Sequence, residues 1–143
     1  MSSDEFDHFL AAQNPVYEQV IAELSRGRKQ SHWMWFIFPQ LLGLGRSDMA
    51  RRYALQSLAQ AARYAVHVQL GRRLRQCTQM VIQAQCRSIS DIFDSPDDLK
   101  FHSCMTLFTL AVPDDPLFEG ALIKYFADTK DARTVELLGK AAT

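Results

Sequence analysis

The sequence predicts an all-α protein, a single compact domain over residues 1–143 with seven to nine short helices around a central aromatic helix. Three observations support this prediction. Apolar residues recur at helical spacing in most segments, and capping residues and prolines mark several helix starts. No segment shows the apolar–polar alternation of a strand. With 143 residues, 48% of them apolar, the chain is large enough to bury one core.

The central helix is predicted from residues 31–40, Ser-His-Trp-Met-Trp-Phe-Ile-Phe-Pro-Gln. Six consecutive apolar residues begin at Trp33, so a helix here would be apolar on all sides and therefore buried. Ser31 is predicted to cap this helix, and Pro39 to end it. Trp33 and Trp35 point roughly 200° apart on a helix. At most one of them can therefore line a given pocket, and structural burial is the competing interpretation for both.

Capping signals and periodicity place the other helices. Proline after Asn, Ser or Asp marks three starts, at Asn14-Pro15, Ser95-Pro96 and Asp115-Pro116. Gly27 suits the position just after a helix, and Ser57 is the first residue of an alanine-rich predicted helix. The predicted helices cover residues 5–13, 15–26, 48–53, 57–66, 69–86, 96–112, 116–126 and 131–138, with one turn at 90–93 and a last helix end at Gly139.

The formal net charge of zero conceals three blocks of charge. Residues 1–25 carry five acids and no Lys or Arg, whereas residues 26–87 carry ten arginines and one lysine against Asp48 alone. Residues 88–143 carry ten acids and five bases. Two interpretations stay open: the basic middle pairs with the acidic flanks inside the fold, or it forms a surface for an anionic partner. Overall neutrality makes nucleic acid an unfavourable partner.

Composition also argues against several classes of protein. The N-terminus lacks the pattern of a signal peptide, and no apolar run has the length of a membrane span, so we expect a cytoplasmic protein with no membrane partner. Three cysteines without C-x-x-C spacing favour reduced thiols. The four histidines lack metal-binding spacing, so no metal site is predicted. The residues indicate no particular cofactor and no oligomeric state.

A glycine-bearing loop is the first candidate for chemistry. Free amides at a helix start, glycines that allow close backbone approach and nearby arginines together suit a phosphate or a carboxylate. The alternative is a tight turn between helices with an ordinary serine cap. The residues concerned are Gly43, Gly45, Arg46, Ser47, Arg51 and Arg52, with Tyr53 as an apolar wall.

The predicted helix from Pro96 provides the second candidate. One side of it, around Phe101 and Phe108, is apolar and predicts core. The opposite arc carries small hydroxyl side chains and a histidine, which favours contact with another helix or a cleft rather than open solvent. Within this arc, Asp98 lies four residues before His102 and could orient it, although a capping acid beside an incidental histidine explains the pair equally well.

Several motifs resemble a bacterial family of uncharacterised proteins, domain of unknown function 1810. They are Pro15-Val16-Tyr17, the block at 31–40, Gly-Leu-Gly-Arg-Ser at 43–47, Arg52-Tyr53-Ala54, Leu70-Gly71 and the stretch 95–108. The resemblance covers nearly the whole chain. It implies a small, mainly helical fold and supplies no activity. It also implies that a shared site would be built from His32, Trp33, Gln40, Ser47, Lys100, Ser103 and Thr106.

These observations lead to a functional hypothesis with two alternatives. We expect a protein that binds a small anionic ligand, phosphorylated or nucleotide-like, and whether it is an enzyme stays open. His32 and Lys100 would supply charge or proton transfer, and the loop from Gly43 to Ser47 would hold the anion. The first alternative is a non-catalytic interaction module whose basic middle binds an acidic protein or nucleic acid. The second is that the polar residues only hold the helices together.

Overall fold

The computed structural model describes residues 5–142, with side chains up to residue 140. Residues 1–4, on which part of the signal-peptide expectation rests, lie outside this range. The described chain is helical, as predicted. Its helices are α1 (Asp7–Gln13), α2 (Tyr17–Ser25), α3 (Met34–Ile37), α4 (Asp48–Arg52), α5 (Leu58–Val66), α6 (Val68–Gln83), α7 (Asp97–Ala111), α8 (Pro116–Phe126) and α9 (Ala132–Ala142), with a 3-10 turn at Ile89–Asp91.

The aromatic segment lies at the centre of the core, as its composition predicts. Trp33, Phe36 and Phe38 are buried, and α3 packs against α1 and α6. The helix itself is only one turn long, because Phe38 already leaves helical angles before Pro39. Helix α7 forms the other half of the core, since it packs against α5, α8 and α9 and buries seven of its 15 residues.

Most helix starts follow the local signals, and three do not. The side chains of Ser47 and Asp115 cap α4 and α8, as predicted, and Ser57, predicted as the first residue of its helix, caps α5. Helix α2 starts two residues after Pro15, and α7 has Pro96 at its N-cap instead of its first position. Helix α3 has no side-chain cap. The predicted cap, the Ser31 hydroxyl, donates instead to a buried carboxylate of α2, so tertiary contacts override this local preference.

Two helix ends depart from their predicted positions by three residues or more. Gly27 takes the predicted position after α2, with a φ of +72°. Helix α6 ends at Gln83, three residues early, whereas α9 continues through Gly139 to Ala142. A glycine in an exposed helix costs only about 1 kcal/mol, which neighbouring turns offset. His67 is the N-cap of α6, and its Nδ1 accepts hydrogen bonds from two backbone amides of the first turn. The sequence analysis did not predict this cap.

The charged blocks pair with one another in part. Cations of the basic middle form ion pairs with acids of both flanks, namely Arg28–Asp94, Lys29–Asp97, Arg63–Glu5 and Arg75–Asp115. This supports the interpretation of internal complementarity for these residues. Other arginines, such as Arg72 and Arg87, are exposed and have no acidic partner among the described residues.

Within residues 5–142, no helix has the length and apolar character needed to cross a membrane.

Candidate functional site

The loop after the aromatic segment is held by a short backbone bridge. The amide of Leu55 donates to the carbonyl of Gln40 at 2.9 Å, and the amide of Leu42 donates to the carbonyl of Leu55 at 2.8 Å. Gly43 then reverses the chain with a φ of +104°, an angle that residues with side chains rarely adopt. The bridge and the turn together place Gln40 and the following residues beside α7 and the start of α9.

A cleft of about 320 Å³ lies where the loop, α7 and α9 meet. Its apolar lining comes from Leu44, Pro96 and Leu99, together with the backbone of Gly45. Its polar lining combines an amide, a hydroxyl, a carboxylate and two cations, which are Gln40, Ser103, Asp131, Lys100 and Arg133. We call this space the Lys100 cleft. Four residues of the sequence-based site, Gln40, Gly45, Lys100 and Ser103, meet in it.

Lys100 is held in the wall of the cleft by two contacts. Its Nζ lies 5.2 Å from the centroid of the Trp35 ring and 3.5 Å from Oδ1 of Asp97. Oδ2 of the same aspartate lies 2.9 Å from Nζ of Lys29, whose side chain is 8% exposed. Two ammonium groups thus share one carboxylate, and this cluster keeps a net positive charge that solvent screens only in part.

Asp131 organises the opposite wall. Its Oδ2 accepts from Oγ1 of Thr134 at 2.6 Å, from the amide of Thr134 at 3.0 Å and from Oγ of Ser103 at 3.3 Å. Its amide donates to Oγ1 of Thr106 at 2.8 Å. Asp131 therefore caps α9 and joins it to α7. Ser103 and Thr106 are buried beneath the cleft, so the hydroxyl arc of α7 meets another helix as well as the cleft.

Glu23 determines the shape of the segment that leads into the aromatic block. This carboxylate is buried, and its oxygens accept hydrogen bonds from the amides of Gln30 and Ser31, the Ser31 hydroxyl, Nε1 of Trp33 and the Gln19 amide group. These donors favour the charged form and lower the pKa of Glu23 to about 2 against the opposing effect of burial. The position of Trp33 next to Lys29 follows from this network.

The structure separates the other predicted site residues from the Lys100 cleft lining. His32 is exposed and makes no hydrogen bond, ion pair or ring contact with the described residues. Trp33 is buried, and it is Trp35 that contacts Lys100. Gly43 lies next to Leu137 of α9. Arg46 is exposed and makes no hydrogen bond or ion pair with the described residues.

The start of α4 is built as a capped turn. The Ser47 hydroxyl accepts the amide of Ala50, and Asp48 in the first turn pairs with Arg51 at 3.0 Å. The guanidinium of Arg52 lies over the ring of Tyr53, which is buried and does not line the cleft. An acid and a serine oxygen thus already occupy the place where an anion was expected. The geometry favours the alternative interpretation of this loop, a tight turn with a serine cap.

Comparison with known proteins places the chain in a family. The profile described as "Protein of unknown function (DUF1810)" matches residues 3–138. The chain belongs to the DUF1810 family. It is similar to a solved structure, the conserved hypothetical protein Rv1873 from Mycobacterium tuberculosis, with 50% sequence identity and a TM-score of 0.92 over 94% of this chain and 96% of that chain. The comparison with curated proteins finds no match.

The DUF1810 description gives no activity, so the chemistry of the site must be inferred from its residues. Sequence reasoning missed Lys29, Trp35, Asp97, Asp131 and Arg133 as parts of it. Asp97 and Asp131 fall at the starts of the predicted helices 96–112 and 131–138. Asp97 pairs with Lys100 of its own helix and with Lys29 of a distant segment, and Asp131 contacts Ser103 of α7, so the contacts that make them part of the site are mostly not local. Within the described residues, no group of three or more His, Cys, Asp or Glu side chains is arranged to hold a metal.

A second cavity of the DUF1810 fold lies further along α9. It measures about 380 Å³ and is lined mainly by leucines, including Leu42, Leu58 and Leu137, with Gln56 and Ser57 as its polar residues. It is slightly larger than the Lys100 cleft. No charged residue lines it, however, so it offers nothing that would bind an anion or transfer a proton. The Lys100 cleft is the better candidate for a functional site.

Proposed function

We propose that the protein is cytoplasmic and binds a small anionic ligand in the Lys100 cleft. The observation that carries this proposal is the pairing around Asp97. This carboxylate contacts both Lys29 and Lys100, so it cannot neutralise both ammonium groups. An anion in the cleft would complete the charge balance and would form a charge-assisted hydrogen bond with Lys100.

Two further features support an anionic ligand. Arg133 lines the same cleft and has no acidic partner among the described residues. The apolar side chains of the lining, Leu44, Pro96 and Leu99, would exclude water from one side of the ligand, which strengthens these interactions.

Replacing either cation of the cleft should weaken binding of a phosphorylated probe. With ribose 5-phosphate as the probe, Lys100→Gln and Arg133→Gln should each raise Kd about tenfold or more, since each removes a charge-assisted hydrogen bond. Isothermal titration measures Kd directly. Thermal unfolding provides a second readout, because a ligand at about 100 times its Kd stabilises the folded state by about 2.7 kcal/mol.

The matched control is Arg87→Gln, which removes an exposed arginine outside the cleft lining. It should leave Kd within a factor of about two, because screened charges at the surface contribute little. Equal Kd values for the wild type, both cleft variants and the control would contradict the proposal. Such a result would mean that the probe does not bind through Lys100 and Arg133. Equal losses of affinity in the two cleft variants and in the control would also contradict the proposal, because binding would then depend on overall charge and not on this site.

The exposed arginines without acidic partners favour a second candidate, an interaction module for an acidic macromolecule. Arg26, Arg72 and Arg87 belong to this set. Because the net charge is zero and several other cations pair within the fold, we expect weak retention on heparin at about 0.1 M salt. Strong retention that falls steeply with salt would instead favour the module.

A further inference from the structure

One oxygen of Asp131 is left without a protein partner in the Lys100 cleft. Oδ2 accepts the hydrogen bonds from Ser103 and Thr134, whereas Oδ1 accepts none from the described residues. An ionised carboxylate offers about two acceptor positions on each oxygen. The residue lines the cleft, so Oδ1 is available to a ligand there.

This acceptor restricts the kind of anion that the cleft can hold. A ligand with negative charge at both ends would be repelled by Asp131, although Lys100 and Arg133 attract one end. The favoured ligand therefore carries an anionic group and, at a short distance from it, hydrogen-bond donors. The side-chain amide of Gln40, which has no partner among the described residues, adds a donor and an acceptor to the same space.

Hydroxyl groups suit this acceptor better than an ammonium group does. An ammonium group placed at this acceptor would also lie in the same small cleft as Lys100 and Arg133, and these two cations would repel it. The remaining polar lining, Gln40 and Ser103, is neutral, as in sites that bind hydroxyls. A carboxylate that accepts from sugar hydroxyls is the arrangement used for ribose in dinucleotide-binding folds. At about 320 Å³, the cleft is at the small end of ligand sites.

We propose that the ligand of the Lys100 cleft is a small phosphorylated sugar whose neighbouring hydroxyls donate to Oδ1 of Asp131 while its phosphate contacts Lys100 and Arg133. This inference rests on the proposed function and adds the class of compound. The apolar lining from Leu44, Pro96 and Leu99 would pack against the C–H face of the sugar.

The test compares three probes on the wild-type protein: inorganic phosphate, ribose 5-phosphate and phosphoethanolamine. Ribose 5-phosphate should bind about tenfold more tightly than inorganic phosphate, the gain expected from hydrogen bonds to a charged acceptor. In Asp131→Asn this ratio should fall close to one. Affinity for inorganic phosphate should stay the same or rise, because a negative charge has been removed.

Asparagine caps helices nearly as well as aspartate, so Asp131→Asn should keep its thermal unfolding midpoint within a few degrees of the wild type. Asp128→Asn is the matched control, the same change at an exposed position of the same loop, and it should leave the ratio unchanged. Because Asp128 has a φ of +56°, asparagine suits its backbone as well.

The possible failures are distinguishable. Equal wild-type affinity for ribose 5-phosphate and inorganic phosphate would overturn this inference and leave the proposed function standing. So would an unchanged ratio in Asp131→Asn. Tighter binding of phosphoethanolamine than of ribose 5-phosphate would overturn it in favour of an ammonium-bearing ligand. No binding of any of the three probes would count against the proposed function itself.

Discussion

Replacing Glu23 with alanine is expected to lower the free energy of unfolding by about 3–4 kcal/mol. The change leaves Nε1 of Trp33 and the amides of Gln30 and Ser31 without their acceptor. Each buried donor that stays unpaired costs about 1–3 kcal/mol, and water entering the space recovers part of this. Urea denaturation followed by tryptophan fluorescence measures the effect.

The control for this prediction is Glu18→Gln. Glu18 is an acid of the same helix, and its side chain makes no hydrogen bond with the described residues. This substitution should change stability by less than about 1 kcal/mol, through its effect on the helix dipole. If both variants unfold at the same urea concentration as the wild type, the carboxylate of Glu23 does not organise this segment.

The low pKa of Glu23 also predicts acid sensitivity. Its pKa is about 2 in the folded protein and 4.5 ordinarily, so its contribution to stability is complete above pH 4.5 and is lost as the pH falls towards 2. In Glu23→Gln the group no longer titrates. This variant should be less stable than the wild type at pH 7, and the difference should shrink between pH 4.5 and pH 2.

Replacing Gly71 with alanine is expected to destabilise the protein by about 3 kcal/mol, at the upper end of the usual cost of overpacking. A Cβ at this position would lie 2.2 Å from the carbonyl oxygen of Ala65 and 2.9 Å from its carbonyl carbon. These are backbone atoms at the end of α5, so no side-chain rotation can relieve the clash. Helices α5 and α6 would have to separate, and both contribute to the core.

Gly139→Ala is the matched control, the same substitution in a helix where the added Cβ meets nothing within 4 Å. It should stabilise the protein by about 0.5–1 kcal/mol, because alanine is the better helix former. Thermal unfolding of both variants tests the pair. A Gly71→Ala variant as stable as the wild type would show that α5 and α6 can move apart without cost.

The candidate site draws on two kinds of sequence reasoning. The glycine loop suggested Gly45 and the family resemblance suggested Gln40, Lys100 and Ser103, and these four residues line one cleft. The sequence also grouped Arg51 and Arg52 with them because a helix start after glycines suits an anion. In the structure the side chain of Asp48 forms an ion pair with Arg51, and the guanidinium of Arg52 lies over the ring of Tyr53.

The sequence by itself determined the helical class, the caps at Ser47 and Asp115 and the burial of the aromatic block. Each depends on residues within about four positions or on composition, so a local pattern contains the information. Only the tertiary structure decided that Glu23 would hold the segment before Trp33 and that Lys29 would share Asp97 with Lys100. The donors of that segment follow Glu23 by seven to ten residues, and Lys29 lies far from Asp97 in the chain, so the packing of the segments and not a local pattern brings these groups together.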